Sequence, residues 1–314
     1  MAMTTDTDIW DCIVIGGGAA GLSAALSLGR ARRRTLLVDA GRQSNLAAHG
    51  IGGLLGHDRR PPAELYVTGR AELAEYATVE IRDGEVIAAE PQDDAFAVTL
   101  ADGAVVQGRR MLLATGMDYR HPDVLGMAQR WGETVFHCPF CHGWEVRERP
   151  LAVFGGTPIA VHQALLLTAW SDDVTLLTGG TGDIDAPERE RLAGAGVGVD
   201  ERPVAELLGP GASLEAVRFA DGEKRVCRGI LVATTLHQRS DLPKQLGAAY
   251  APGDPLSAEA IEVDGQYQTS VPGVYAAGDI VAGPPAVARA VAAGNFAGAM
   301  IVMGLTTDAA PVAR

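Results

Sequence analysis

The chain has 314 residues, of which 47% are hydrophobic, and it carries a formal net charge of -13 at pH 7. This length and composition are typical of a soluble globular protein with room for two domains, each with its own core. The negative charge repels phosphate backbones and anionic membrane surfaces, so neither nucleic acid nor a membrane is an expected partner.

Residues 1–8 lack a basic region followed by an apolar stretch, and no run of eighteen apolar residues occurs. We therefore expect a cytoplasmic protein. In that reducing compartment the four cysteines stay thiols unless chemistry oxidises them.

The first elements predict a strand, a glycine turn and a helix in immediate succession. The apolar run Asp11–Ile15 indicates a buried parallel strand, Gly16–Gly21 follows at once, and Leu22–Leu28 predicts a helix. A second strand, Thr35–Val38, ends in Asp39. This order is typical of a dinucleotide-binding βαβ unit.

Each residue of that unit has a physical reason to be there. Gly16 permits the tight turn, Gly18 lets the backbone approach a pyrophosphate, and Gly21 lets helix and strand pack closely. Asp39 is placed to accept hydrogen bonds from ribose hydroxyls.

The next stretch predicts a helix from Pro61 through Tyr76 and short strands over Val79–Val98 that close on the turn Asp102-Gly103. Another buried strand, Met111–Gly116, ends at small residues that let the backbone pass close to a cofactor.

Cys138-Pro139-Phe140-Cys141-His142-Gly143 is the stretch that carries chemistry. Two cysteines separated by two residues can close a small disulfide ring, and the thiolates that form when this disulfide is reduced relay electrons. Half of a zinc site is an alternative, but only Cys12 and Cys227 remain, far apart in sequence. A purely structural disulfide gains little from so short a loop. The sequence therefore favours thiol redox chemistry.

A second βαβ unit follows the cysteine pair. It predicts strand Leu151–Phe154, a turn through Gly155–Ile159, helix Ala160–Trp170 and strand Val174–Leu177, with strand Gly229–Thr234 ending the unit. The chain thus repeats its own nucleotide-binding plan.

The last informative stretch, 269–280, predicts a turn and a short buried strand that ends in Asp279. A helix over Pro285–Val302 follows, and its alanines allow close packing against a flat ring. Of the aromatic residues around the cysteines, we expect Trp131 in the core and Phe140 and Trp144 in the wall of a pocket.

These pieces resemble the low-molecular-weight thioredoxin reductase family along nearly the whole chain. The resemblance implies an α/β fold of two Rossmann-like three-layer nucleotide-binding domains, the second inserted into the first. It places FAD in a discontinuous domain formed by 1–118 and 245–314, and the Cys-x-x-Cys pair in an inserted domain at 119–244. Asp279 would then contact the ribityl chain of the flavin, and residues 286–288 would lie near its ring.

The FAD-binding residues that the glycine turn and the resemblance indicate are Gly16, Gly18, Ala19, Ala20, Gly21, Asp39, Asn45, Val86, Ala114, Thr115, Gly116, Gly278, Asp279, Val287 and Ala288. No metal ligands are expected. The loop that contains Asn45 and the glycines from Gly50 to Gly56 either lies along the flavin or is an ordinary connection, and both interpretations stay open.

The second unit departs from the reductase pattern. Thr157 stands where the middle glycine of the NADPH turn belongs, and its Cβ would crowd a pyrophosphate, while Pro158 lacks an N–H. The stretch 177–181 offers neither an acid for a ribose hydroxyl nor an arginine for a 2′-phosphate. Arg189 and Arg191 come later and are explained as a solvated helix face. The sequence therefore predicts a degenerate domain that has lost NADPH.

His142 directly follows Cys141, where the reductases place an aspartate a little later. Cys-Pro-Phe-Cys-His-Gly is similar to the FAD-dependent dithiol oxidases that close disulfides in metabolites such as gliotoxin and holomycin. The resemblance implies that Cys138 meets the substrate, Cys141 lies nearer the flavin, and oxygen accepts the electrons. His142 is the expected base, with a backbone-bonded structural histidine as the alternative.

Three other functions remain open at this point. They are an NADPH-dependent disulfide reductase, a ferredoxin-linked reductase and a flavin-bearing redox protein without turnover. The substrate, a small dithiol in the favoured reading, is not identified, and a homodimer is expected from the family only.

Overall fold

The computed structural model describes residues 9–182 and 184–309, so the N-terminal 1–8 segment discussed above lies outside the described residues. The chain divides into two compact units, one formed by Met1–Ser44, Pro62–Tyr119 and Leu236–Arg314, the other by Asn45–Pro61 and Arg120–Thr235. The second unit is thus inserted into the first. Two segments group differently from the prediction, because 45–61 packs with the second unit and 236–244 joins the core of the first.

The elements that the sequence predicts occur in the predicted order, with ends that differ by up to seven residues, and the structure adds further strands and helices between them. They are β1 (Ile9–Ile15), α1 (Ala19–Arg30), β2 (Thr35–Asp39), α2 (Pro62–Leu73), β3 (Val79–Asp83), β4 (Val86–Gln92), β5 (Ala95–Leu100), β6 (Val105–Leu113), β7 (Met117–Arg120), β8 (Val135–Phe136), α3 (Pro139–Val146), β9 (Leu151–Phe154), α4 (Pro158–Leu167), β10 (Val174–Leu177), α5 (Ala186–Gly194), β11 (Gly198–Asp200), β12 (Val204–Leu208), β13 (Ala216–Phe219), β14 (Lys224–Val226), β15 (Gly229–Val232), β16 (Thr235–Gln238), α6 (Leu242–Leu246), β17 (Val274–Ala276) and α7 (Val287–Ala309).

The first unit is built on a seven-stranded sheet. Strands β3, β2, β1, β6 and β17 are parallel neighbours, and β5 and β4 extend the sheet antiparallel from β6. Apolar side chains from β1, β2 and β6 are fully buried, as expected for a sheet covered on both faces. The carboxyl ends of β1, β6 and β17 therefore lie side by side at one edge, which is where α/β sheets bind ligands.

Helix α7 is the core helix of the first unit. Its part Val287–Thr307 is long and apolar enough to cross a membrane by length and composition alone. Ala293 and Ala297 are buried, and a Cβ on Gly294 would lie 2.7 Å from the carbonyl carbon of Ala20 in α1. The small residues in this part of α7 thus serve close helix packing against α1, and packing of the helix against a flat ring stays a prediction.

The second unit contains a five-stranded parallel sheet in the order β11, β10, β9, β15, β8 and a three-stranded antiparallel sheet of β12, β13 and β14. Helix α4 packs on β9 and β10 as in a βαβ unit. The predicted helix over Ala160–Trp170 begins earlier, at Pro158, and ends at Leu167.

A buried arginine braces the loops of the second unit. The guanidinium of Arg130 is almost fully buried and donates hydrogen bonds to the carbonyl oxygens of Gly126, at 2.7 Å, of Ser213, at 3.1 Å, and of Gly209. A buried cation of this kind is retained only where such acceptors replace water. Arg130 therefore fixes the turn that leads into β8, close in sequence to the cysteine pair.

Candidate redox and cofactor sites

The first glycine turn has the geometry that its residues require. Gly16 has a φ of +108°, and a Cβ there would lie 2.7 Å from the carbonyl carbon of Ala114. A Cβ on Gly21 would lie 3.0 Å from the carbonyl carbon of Gly16. Gly18 begins α1 without a side-chain cap, and no acidic residue occupies the first turn. The N–H groups of this helix start are therefore left for an anion such as a pyrophosphate.

Asp39 is held by protein donors at the end of β2. Its Oδ1 accepts the backbone N–H groups of Gly17 at 3.1 Å and Gly41 at 3.0 Å, and Arg70 pairs with Oδ2 at 3.1 Å. A cavity of about 310 Å³ opens here, lined by Asp39, Ala40, Gly41, Arg42, Arg70, Asp83, Gly84 and Glu85. The ribose contact of Asp39 stays a prediction, and a ribose hydroxyl would share the carboxylate with Arg70.

The ends of β6 and β17 carry two further polar groups. The Oγ1 atom of Thr115 is buried and has no hydrogen-bond partner among the described residues. Asp279 follows β17, and its Oδ2 accepts a 2.8 Å hydrogen bond from the hydroxyl of Tyr119. Burial raises the pKa of Asp279, while that hydrogen bond opposes the rise. Sequence reasoning missed Tyr119, because only the fold brings it to the acid.

Together these groups fit a flavin dinucleotide. A hydroxyl without a partner among the described residues, an uncapped helix start and a partly buried carboxyl lie after β6, β1 and β17, which are adjacent parallel strands. The remaining predicted ligands lie in several parts of the fold. Ala19 and Ala20 start α1, and Val287 and Ala288 start α7. Val86 is buried in the core at the start of β4, whereas Gly278, with a φ of +92°, lies beside Ala20, and Asn45 lies in a 3-10 turn that groups with the second unit.

The cysteine pair lies at the start of α3. Cys138 is the N-cap residue in an extended conformation, Pro139 occupies the first turn, and the backbone N–H of Cys141 donates to the carbonyl of Cys138 at 3.2 Å. The two residues are joined by a disulfide, with Cα atoms 5.4 Å apart. Because a helix N-terminus stabilises negative charge, a thiolate released here is stabilised.

His142 is anchored beside the pair. Its Nε2 lies 3.0 Å from the carbonyl oxygen of Gly132, and its ring stacks on Phe136 with centroids 5.7 Å apart. Burial lowers the pKa of His142, and the carbonyl of Gly132 and the carboxylate of Glu145 partly oppose this. Burial also lowers the pKa of His137 to about 4. Both rings are therefore neutral at pH 7.

The aromatic residues near the cysteines differ in exposure, and the pocket wall expected of Phe140 and Trp144 stays a prediction. Phe140, between the two cysteines, is 71% exposed and meets Trp170 edge to face at 5.4 Å. Trp144 is 53% exposed under the guanidinium of Arg147. Trp131 is partly buried against the core of the second unit. Apolar surface thus borders the redox pair.

Segment 45–61 packs on the redox pair, and its possible contact with the flavin stays a prediction. Gly52 lies so close to Cys141 that a Cβ there would come within 2.8 Å of the Cys141 Cα. The segment is closed on itself, because Ile51 donates to the carbonyl of Arg60 at 2.9 Å and Arg59 donates back to Ile51 at 2.8 Å. Ile51 is buried, so the segment is a formed wall and not a bare connection.

The second glycine turn, which begins with Gly155, Gly156 and Thr157, differs from the first at the residue that starts its helix. Thr157 caps α4, since its Oγ1 accepts the backbone N–H of Ala160 at 3.3 Å. Pro158 has no N–H to offer. Two of the donors that would bind a pyrophosphate at this helix start are therefore engaged or missing.

The loop after β10 also closes over this turn. A Cβ on Gly156 would lie 2.7 Å from the carbonyl carbon of Thr181 and 3.0 Å from the Cα of Gly182. Arg189 is engaged as well, because it pairs with Glu201 at 2.5 Å and donates to the carbonyl of Ile184 at 3.0 Å. The loop after β10 therefore packs directly against Gly156, a contact that sequence reasoning missed.

Comparison with known proteins identifies the family. Residues 10–294 match the family described as pyridine nucleotide-disulphide oxidoreductase. The chain belongs to this family. It is 33% identical to thioredoxin reductase tcpT of Claviceps purpurea, with 96% of each chain covered, and 31% identical to thioredoxin reductase sirT of Leptosphaeria maculans, with 94% of each covered.

Two solved structures extend the similarity. The oxidoreductase from Agrobacterium tumefaciens is 35% identical, with a TM-score of 0.90 over 95% of this chain and 99% of that one. HlmI is 36% identical, with a TM-score of 0.88 over 98% of this chain and 95% of that one. The predicted fold class and the thioredoxin reductase-like resemblance are confirmed. The protein is a flavin-type thiol/disulfide oxidoreductase.

The wall formed by 45–61 leads to a first prediction for this thioredoxin reductase-like chain. Gly52→Ala places a methyl group against the main chain of Cys141, so the loop and the redox pair are pushed apart. We expect the rate at which dithiothreitol reduces the disulfide to fall by about tenfold or more, because small displacements of reacting atoms are costly. Stopped-flow measurement of flavin bleaching by dithiothreitol without oxygen gives this rate.

Gly53→Ala is the matched control. Gly53 has a φ of +74°, and a Cβ there would meet nothing within 4 Å, so this variant adds backbone strain without touching Cys141. Its rate should stay within about twofold of the parent, since only loop strain of roughly 1 kcal/mol is added. Equal losses in both variants would show that general loop strain, and not contact with Cys141, controls the rate.

Proposed function

We propose that this protein is an FAD-dependent dithiol oxidase, which closes a disulfide in a small-molecule dithiol and passes the electrons to oxygen to give hydrogen peroxide. One observation carries the proposal. A redox disulfide lies beside a neutral histidine in a unit whose second glycine turn has Thr157 capping its helix and Pro158 without an N–H. A sulfur relay beside a turn that has fewer donors for a pyrophosphate favours oxidation of thiols over their reduction by NADPH.

The chemistry proceeds by thiol–disulfide exchange. A substrate thiol gives its proton to His142, and the thiolate attacks Cys138, which breaks the bond to Cys141. Cys141 leaves as a thiolate that the start of α3 stabilises. The second substrate thiolate then attacks the substrate sulfur of the mixed disulfide, which releases the cyclic or linear product and the Cys138 thiolate. Two electrons have moved from the substrate to the cysteine pair.

The first glycine turn would hold FAD, which would supply an acceptor for this electron pair and a route for it to oxygen, with two protons completing hydrogen peroxide. The residues proposed to hold the cofactor are those after β1, β6 and β17, with Thr115 and Asp279 supplying polar contacts. Exposed Phe140 and Trp144 favour an apolar substrate. We also propose a homodimer that works in the cytoplasm, on the family resemblance.

An NADPH-dependent disulfide reductase is the competing function, because the curated relatives tcpT and sirT are named thioredoxin reductases. The deciding experiment uses the purified flavoprotein. Dithiothreitol under air should drive oxygen uptake with matching peroxide formation, and anaerobic NADPH should leave the flavin oxidised. Rapid bleaching by NADPH would overturn the oxidase assignment. Absence of both oxygen uptake and peroxide with every dithiol tested would leave a protein without turnover.

A further inference from the structure

The ring of His142 presents its two nitrogens to different surroundings. Nε2 lies 3.0 Å from the carbonyl oxygen of Gly132, whereas Nδ1 is buried and has no hydrogen-bond partner among the described residues. A carbonyl oxygen only accepts, so the short contact requires a proton on Nε2. In a neutral imidazole the lone pair then lies on Nδ1.

The carbonyl of Gly132 is itself held in place. Gly132 has a φ of +85°, and its N–H donates to the carbonyl of Val135 at 2.9 Å. A Cβ at Gly132 would lie 2.9 Å from the Cβ of Ala47, in the segment that also packs on Cys141. The neighbouring Glu133 pairs with His49 of the same segment at 2.8 Å. Because the positive φ and the close contact with Ala47 favour only glycine at this position, the carbonyl group of Gly132 has a fixed direction.

We propose that Gly132 is a positioning residue, whose carbonyl fixes the Nε2–H tautomer of His142 and thereby makes Nδ1 the nitrogen that exchanges protons during catalysis. The inference rests on the proposed function of His142 as the base. Nδ1 takes the proton of a substrate thiol as that sulfur attacks the disulfide, and the imidazolium returns it to a cysteine thiolate.

The charged and titratable groups that act on the ring set the pH at which this exchange fails. They are Glu133 in the same turn as Gly132, Glu145 on α3 and His137 before the cysteines, and the backbone carbonyl of Cys138 also favours the protonated ring. The carbonyl of Gly132 stabilises the protonated ring, since an N–H···O=C bond strengthens when the donor is charged. Loss of this carbonyl contact should therefore move the acid limb of the pH–rate profile to lower pH.

The test reads the tautomer directly. In the oxidised holoprotein with ¹⁵N-labelled histidine, NMR at neutral pH should show Nε2 protonated and Nδ1 bare for the ring whose signals vanish in His142→Gln. A proton on Nδ1 would overturn the assignment. The NMR measurement does not depend on turnover, so it tests the tautomer even if no dithiol drives oxygen uptake. Failure of the proposed oxidase function is detected separately, by the oxygen assay.

Gly132→Ala tests the positioning residue itself. We expect mixed tautomers, an acid limb at lower pH and a kcat about tenfold lower, as loss of one hydrogen bond implies. Gly196→Ala is the control, because Gly196 has a φ of +74° and open space around its Cβ position. Should Gly132→Ala fail to fold, Ala47→Val crowds Gly132 from outside. Unchanged tautomer and pH profile in the folded variant would refute the role of Gly132.

Discussion

Replacing Cys138 or Cys141 with serine is expected to lower dithiol-dependent oxygen uptake by about a thousandfold or more, as loss of a catalytic nucleophile does elsewhere. Each serine removes one sulfur of the disulfide at the start of α3, so no electrophilic S–S bond remains for a substrate thiolate. An oxygen electrode and a peroxide assay with a panel of dithiols give the effect, with flavin content measured to show that the cofactor is retained.

Cys227→Ala is the control for loss of a thiol as such. The thiol of Cys227 is buried and donates to the carbonyl of Gly229 at 3.3 Å, and burial raises its pKa to about 12. A cysteine that is a neutral thiol at pH 8 takes no part in exchange. Uptake in this variant should match the parent. If either serine variant kept a tenth of the parent rate, electrons would be passing from substrate to flavin without the sulfur relay.

The parts of the structure that could be predicted from the sequence are those determined by residues that are close together in the chain. The strand before the first glycine turn, the helix after it and the strand ending in Asp39 were all placed within a few residues. A buried parallel strand is an apolar run, and the glycines follow from turn geometry that is local to the chain. The same holds for β9 and β10, whose bounds match the prediction.

The parts that sequence could not predict depend on contacts between distant residues. Segment 45–61 carries no motif for a cysteine pair some ninety residues later, yet Gly52 packs on Cys141. The carbonyls that satisfy Arg130 and the carbonyl that anchors His142 come from loops without a residue signature, because backbone acceptors are the same in every residue.

The second glycine turn shows how the fold adds to what the sequence indicates. The sequence predicts that the Cβ of Thr157 crowds a pyrophosphate, and loss of NADPH stays a prediction. In the structure the hydroxyl of Thr157 also caps α4, and the loop with Thr181 and Gly182 packs against Gly156. Helix capping is readable from a threonine followed by proline, but the closure of the loop depends on glycines whose φ values are known only in the fold.

His142→Gln should lower kcat/KM for dithiols at pH 7 by about a hundredfold, which is the contribution typical of a general base. Glutamine keeps an N–H donor for the carbonyl of Gly132, so the turn and α3 should fold as before. Thermal unfolding and flavin content of the variant measure this retention directly. The lost rate then reports the missing proton acceptor and not a displaced disulfide.

The pH–rate profile identifies the residue that acts as the base. The base acts when neutral, and burial lowers the pKa of His142, so parent activity should be constant near neutrality and fall only below the ordinary histidine pKa. The variant should lack this acid limb, whereas exposed His162→Gln should retain it. His137 has a pKa of about 4. If an acid limb near that pH persisted in His142→Gln but disappeared in His137→Gln, the base would be His137.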